Sequence, residues 1–162
     1  MRGLKRSRDS SAVPATGESS AGAGPQHWLL KSEPSDYSIS QMETDGQTTW
    51  DGVRNALARK NLRAMRLGDS CLFYHSSCKD VGVVGEVAVV REAYPDPADE
   101  KWAVVDVRFT ERWRKVVPLA TLRQHATGAL AGLALLSQSR LSVVPVSAQH
   151  FAFIRSLRDS DA

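Results

Sequence analysis

The chain has 162 residues, 42% apolar and 24% charged, with a net charge of +3; these proportions suit one soluble globular domain and exclude two full domains with a linker. No stretch approaches the roughly 18 consecutive apolar residues of a membrane-spanning helix, and the basic opening segment lacks the apolar core of a secretory signal. Residues 1–26 hold four Lys or Arg against two acids, which leaves seventeen against sixteen for the rest, so affinity for an anionic partner has to come from a local patch.

Residues 1–26 are Ser, Ala, Gly, Pro and charges with almost nothing to bury, and read as a disordered tail ahead of a domain at 27–162. Within the tail, Lys5, Arg6 and Arg8 suit a nuclear-import signal, a non-specific phosphate contact or a merely solvated basic tail; a nuclear location is the leading expectation, with mitochondrial or cytoplasmic placement as the alternatives. HWLLKSE from His27 is a first strand interrupted by Pro34, and Ser38 with Gln41 has capping-box spacing for a short helix. DGVRNALARKNLRAMR is the main amphipathic helix, beginning near Asp51, with Val53, Leu57, Leu62 and Met65 on its apolar face, a break near Asn61 and a stop at Gly68-Asp69. SCLFYHS, GVVGEVAVVREAY and WAVVDVRF are strands. Pro118 opens a short helix, LALLSQSRLSVVPV returns to strand with Pro145 at an edge or end, and Ser147 caps a last helix with a stripe of Phe151, Ile154 and Leu157.

Chemistry concentrates between Thr48 and Arg66. Arg54, Arg59, Lys60, Arg63 and Arg66 follow one another with no acid after Asp51, and a helix start adds backbone donors, so the segment suits phosphates or a solvated basic face. Trp50, Tyr74, Trp28 and Tyr37 are the aromatics that could read a base; Trp28 fits the core, whereas Trp50 is placed in a turn before the helix. His75 and Cys78 have H-x-x-C spacing but lack the second pair a zinc site needs, so no metal and no cofactor is expected. A nucleophile system of Asp51, His75 and Ser76 has no local device such as GxSxG behind it. Cys71 and Cys78 read as reduced thiols.

HWLLKSEPSDYS, TTWDGVRNALARKNLRAMRLGD, FYHSSCKDVGVVGEV, EAYPD, KWAVVDVRF and RLSVVPVS, in this order, resemble the EVE domain, a PUA-like family. The resemblance covers nearly all of residues 27–158. It implies an α+β fold, a twisted, partly closed β-barrel with short helices around it, and a binding module that is not an enzyme. The implied partner is nucleic acid, with DNA favoured over RNA. The implied ligand is a modified base such as 5-methylcytosine or 5-hydroxymethylcytosine, flipped into a pocket. Carried over by position, the base pocket falls to Lys31, Ser32, Glu33, Trp50, Asp51, Gly52, Val53, Asn55, Tyr74, His75 and Ser76. Phosphates fall to Arg54, Arg59, Lys60 and Arg63, and the rim to Arg140. One departure is that relatives continue after EAYPD through a longer segment, where PADE alone leads into KWAVVDV here. An adaptor that has lost base binding with that segment is a further reading.

Overall fold

The computed structural model describes residues 27–158; the tail and its Lys5, Arg6 and Arg8 lie outside the described residues. Among the described residues six strands form one sheet in the order β2-β5-β4-β3-β1-β6. They are β1 (His27–Ser32), β2 (Gln47–Trp50), β3 (Ser70–His75), β4 (Gly82–Asp96), β5 (Asp99–Pro118) and β6 (Val143–Val146). Helices α1 (Ile39–Asp45), α2 (Ala56–Ala64), α3 (Leu119–Arg123), α4 (Ala134–Ser137) and α5 (Ala148–Arg158) complete the mixed α+β architecture.

The pairing is linear, so the sheet is open, with β2 and β6 as its two ends. It is nevertheless rolled. In a flat sheet β2 and β3, three places apart, would stand about 14 Å from one another, yet the rings of Trp50 and Phe73 meet edge to face at 5.5 Å. Irregular register between β4 and β5 and between Phe73 and Tyr74 of β3 supplies the bends. Among the described residues one pair is parallel, β1 with β3, and it aligns Lys31 with Tyr74 and Ser32 with His75 at the carboxyl ends of both strands.

Local chemistry explains where two of the helices begin. Ser38 caps α1 by accepting from Gln41 N at 3.1 Å, and Ser147 accepts from His150 N at 3.1 Å at the start of α5. The capping box is half made, since Gln41 turns its amide to Asp45 rather than back to Ser38. Pro145 sits on edge strand β6, where a missing N–H is tolerated. At Gly85 an added Cβ would lie 2.5 Å from Glu111 O and 2.7 Å from Ile39 Cδ1, so the glycine lets α1 settle on the sheet.

The structure departs from the sequence reading in four places. Trp50 ends strand β2 instead of occupying a turn, because QTTW pairs with Val105–Arg108 of β5, a partner far along the chain. The main helix starts at Ala56, five residues later than expected, and runs unbroken through Asn61; Leu57 consequently faces out, 42% exposed, while Ala58 and Leu62 face in. β5 continues through TERWRKVV, with Trp113 and Val117 inward between charged residues. Residues 134–137 are helical, as Ala and Leu favour, and the strand begins only where β-branched residues do, at Val143.

Candidate functional site

The carboxyl ends of β1, β2 and β3 open into a cavity of about 820 Å³, a size typical of small-ligand sites. Lys31, Ser32 and Glu33 leave β1 along its wall, joined by Asp36 and Tyr37. Thr48, Thr49 and Trp50 contribute from β2, followed by Asp51, Gly52 and Val53. Gly52 has φ +78, a backbone state that makes this turn from β2 toward α2 a glycine position. Tyr74 of β3 and then Ser76 and Ser77 form a third side. The fourth is Leu119 and Arg123 of α3, Leu135 and Leu136 of α4, and Ser139, Arg140 and Ser142 beyond it.

The aromatic wall is largely built in. Trp50 is 8% exposed, edge-on to Phe73 and, at 6.2 Å, to Tyr37, so it offers the cavity a rim instead of an open face. Tyr37 is fixed by donating to Asp45 Oδ2 at 2.7 Å, and burial pushes its hydroxyl above the usual tyrosine range. Burial likewise raises Tyr74, countered by Arg123, so both phenols stay neutral donors at pH 7. Ser32 donates to Tyr37 O at 2.6 Å, which leaves its oxygen lone pairs available. Lys31 donates to Ser139 O at 2.7 Å, lies 5.7 Å from the Tyr74 ring centre and is pulled below the usual lysine value by burial.

Among ionisable lining groups, Lys31, Arg123 and Arg140 are matched in number by Glu33, Asp36 and Asp51. Around them stand hydroxyls from Ser32, Tyr37, Thr48, Thr49, Tyr74 and Ser76, and an apolar side of Val53, Leu119, Leu135 and Leu136. Such a site suits an uncharged heterocycle with polar edges and an apolar substituent better than a phosphate, which would ask for an excess of cations.

Two residues carried over to the base pocket do not line it. Asn55 is the N-cap of α2, accepting from Ala58 N at 2.9 Å, and borders a smaller neighbouring pocket of about 280 Å³ that shares Ser139 and Arg140. His75 Nε2 accepts from Ile39 N at 3.1 Å, which spends its lone pair on the start of α1 and leaves the ring proton on Nδ1. His75 therefore does not join Asp51 and Ser76 in one cavity. Among the described residues no group of three or more His, Cys, Asp or Glu is arranged to hold a metal ion.

Of the four cations expected to meet phosphates, Lys60 and Arg63 are exposed on α2. Arg54 and Arg59 instead turn to Trp102 of β5, at 4.8 and 5.1 Å from guanidinium carbon to ring centre. Trp102 is a residue that sequence reading assigned only to a strand. The β4–β5 hairpin that presents it turns through Pro97 and Ala98 alone, Asp96 accepting from Ala98 N at 2.9 Å.

The EVE domain family model matches residues 26–157. Thymocyte nuclear protein 1 of Homo sapiens is 37% identical over 83% of this chain and 75% of its own length. That alignment, 168 positions, is longer than this chain, so the relative holds residues within the matched span that this chain lacks. Among solved structures, human THYN1 in complex with 5-methylcytosine-containing DNA superposes with a TM-score of 0.79 at 34% identity, over 84% of this chain and 99% of that one. A hypothetical protein from Leishmania major gives a TM-score of 0.77 at 41% identity, over 82% of this chain and 94% of that one. No helix among the described residues is long and apolar enough to cross a membrane.

Proposed function

The chain belongs to the EVE domain family, and from this premise we propose that it is a non-enzymatic nucleic-acid-binding module that takes a modified base, foremost a modified cytosine in DNA, into the 820 Å³ cavity. The observation that carries the reading is the balanced, hydroxyl-rich cavity with one apolar side, built where the KSE, WDGV and Tyr74–Ser76 segments converge. The human THYN1 complex with 5-methylcytosine-containing DNA supports the same ligand class. On this reading the rolled, open sheet is the PUA-like half-barrel, and the nuclear names of the relatives favour a nuclear location.

Extruding a base costs a few kcal/mol of unstacking. Ser32, Tyr37 and Ser76 return hydrogen bonds to its edge at about 1 kcal/mol each, and enclosure beside Trp50 supplies the rest. A 5-methyl group seated against Val53, Leu119, Leu135 or Leu136 gains about 0.8 kcal/mol, about fourfold in affinity.

The test is binding of the full chain to DNA and RNA oligonucleotides carrying cytosine, 5-methylcytosine, 5-hydroxymethylcytosine or N6-methyladenine. A Ser139→Trp variant, which fills the cavity from an exposed position, serves as control. We expect a preference of about fourfold or more for a modified cytosine in DNA, abolished by Ser139→Trp, and oligonucleotides recovered unchanged in mass. Equal affinity for every oligonucleotide would sink the reader; a preference confined to RNA would reassign its nucleic acid, and a changed mass would make it an enzyme.

A further inference from the structure

Three cations converge on one indole outside the cavity. Arg54 and Arg59 approach the Trp102 ring centre at 4.8 and 5.1 Å, and Lys101 Nζ lies 5.7 Å from it. They come from separate segments of the chain: Arg54 from the turn before α2, Arg59 from α2, and Lys101 from β5 just beyond the two-residue hairpin. Arg59 also donates to Lys101 O at 3.0 Å, tying helix to strand. Only Lys101 has a carboxylate nearby, Asp99 at 4.0 Å, and no described carboxylate pairs with Arg54 or Arg59.

One half-buried ring can hold cations by its quadrupole, but three like charges this close repel within a Debye length. An arriving anion turns that repulsion into attraction. The ring also fixes the two guanidinium groups, so N–H donors not used on Val53 O or Lys101 O are held ready for oxygen acceptors. The location fits a strand: Arg54 directly follows Val53, which lines the cavity, and the cavity's own charges are balanced, so it offers no surplus for a backbone.

We propose that Arg54, Arg59 and Lys101, positioned by Trp102, hold the phosphodiester backbone of the strand whose base enters the cavity. This rests on the base-binding reading for the identity of the strand, while its contact is independent of sequence and modification. Lys101 and Trp102 thereby join the interface, and Trp102 is a positioning residue.

The test uses the full chain and DNA oligonucleotides with and without 5-methylcytosine over a salt series. In an Arg54→Gln/Arg59→Gln/Lys101→Gln variant, affinity for both should fall roughly 10- to 100-fold at low salt. The slope of log Kd against log salt should shrink by about 2 to 3, and the preference between oligonucleotides should stay constant. Trp102→Leu should lose part of the affinity and Trp102→Tyr restore it, with thermal unfolding confirming that each variant is folded. An unchanged salt slope, or a loss restricted to the methylated oligonucleotide, overturns the proposal. If the native chain shows no base preference yet the variant still loses its salt slope, the cavity reading fails while the strand contact stands.

Discussion

His75 follows the cavity residue Tyr74 yet gives its Nε2 to the first N–H of α1, a bond that only the neutral imidazole can accept. Burial, and then the nearby Arg112, hold its pKa below the ordinary value, and burial does the same for His27. Both groups bind a proton more readily when the chain unfolds. Their contribution to stability is therefore complete above the unfolded value of about 6.5 and is lost as pH falls below it through the folded values. Urea midpoints should drop between pH 7.5 and pH 5, and His75→Gln, which can still accept from Ile39 N, should flatten part of that drop. Asp69 is a second residue whose worth lies in what it satisfies. Buried, it accepts from Trp28 Nε1 and from Arg66 N, both at 2.9 Å. Asp69→Ala leaves the indole donor unpaired in the core and should cost about 2–3 kcal/mol by denaturant unfolding.

At the scale of elements, α2 depends on Asn55 and α5 on Glu86. Removing the Asn55 cap as Asn55→Ala should lower stability by about 1 kcal/mol. Base binding should survive that change, since Asn55 does not line the cavity. Glu86 is buried on β4 and accepts from Trp113 Nε1 at 3.2 Å, Arg155 Nε at 3.0 Å and Arg158 at 3.1 Å, while Arg158 also reaches Glu111 at 2.7 Å. This carboxylate pins α5 to the sheet. Glu86→Ala orphans the Trp113 indole donor and takes from Arg155 and Arg158 their shared buried carboxylate, while Arg158 keeps Glu111, with an expected loss on the order of 2–3 kcal/mol. Amide hydrogen exchange should rise first in residues 148–158, which lie over the lost anchor.

For the molecule as a whole, what the sequence made legible is what local pattern controls. Alternation and apolar runs located β1, β3, β4 and the end strand; Ser38 and Ser147 announced their helices by cap chemistry. β2 was invisible because Gln47 to Trp50 have no apolar alternation and become a strand only by pairing with β5. The ordered blocks contain Lys31 to Glu33, Trp50 to Val53, Tyr74 and Ser76, which line three sides of one cavity. The opposite wall, Leu119, Arg123, Leu135 and Leu136, was not anticipated, since periodicity says nothing about how a sheet rolls or which short helices close over its end. Trp102 was missed for a related reason: its meaning lies in cations that arrive from α2 and the turn before it.

The hairpin at Pro97 and Ala98 bears on time as well as shape. The strand it feeds pairs with β2 beside the cavity, yet a turn of two residues has no length to fold across the opening. A ligand with no base to extrude meets no hairpin lid here, so its observed association rates should rise linearly with concentration without reaching a plateau, and affinity should reside in the departure rate. Lengthening the turn by about eight flexible residues should cost only about 1.4 kcal/mol of stability. Stopped-flow traces of such a variant would show whether slow exchange can be added to the domain by one loop, leaving the rest of the framework to set which ligand is held.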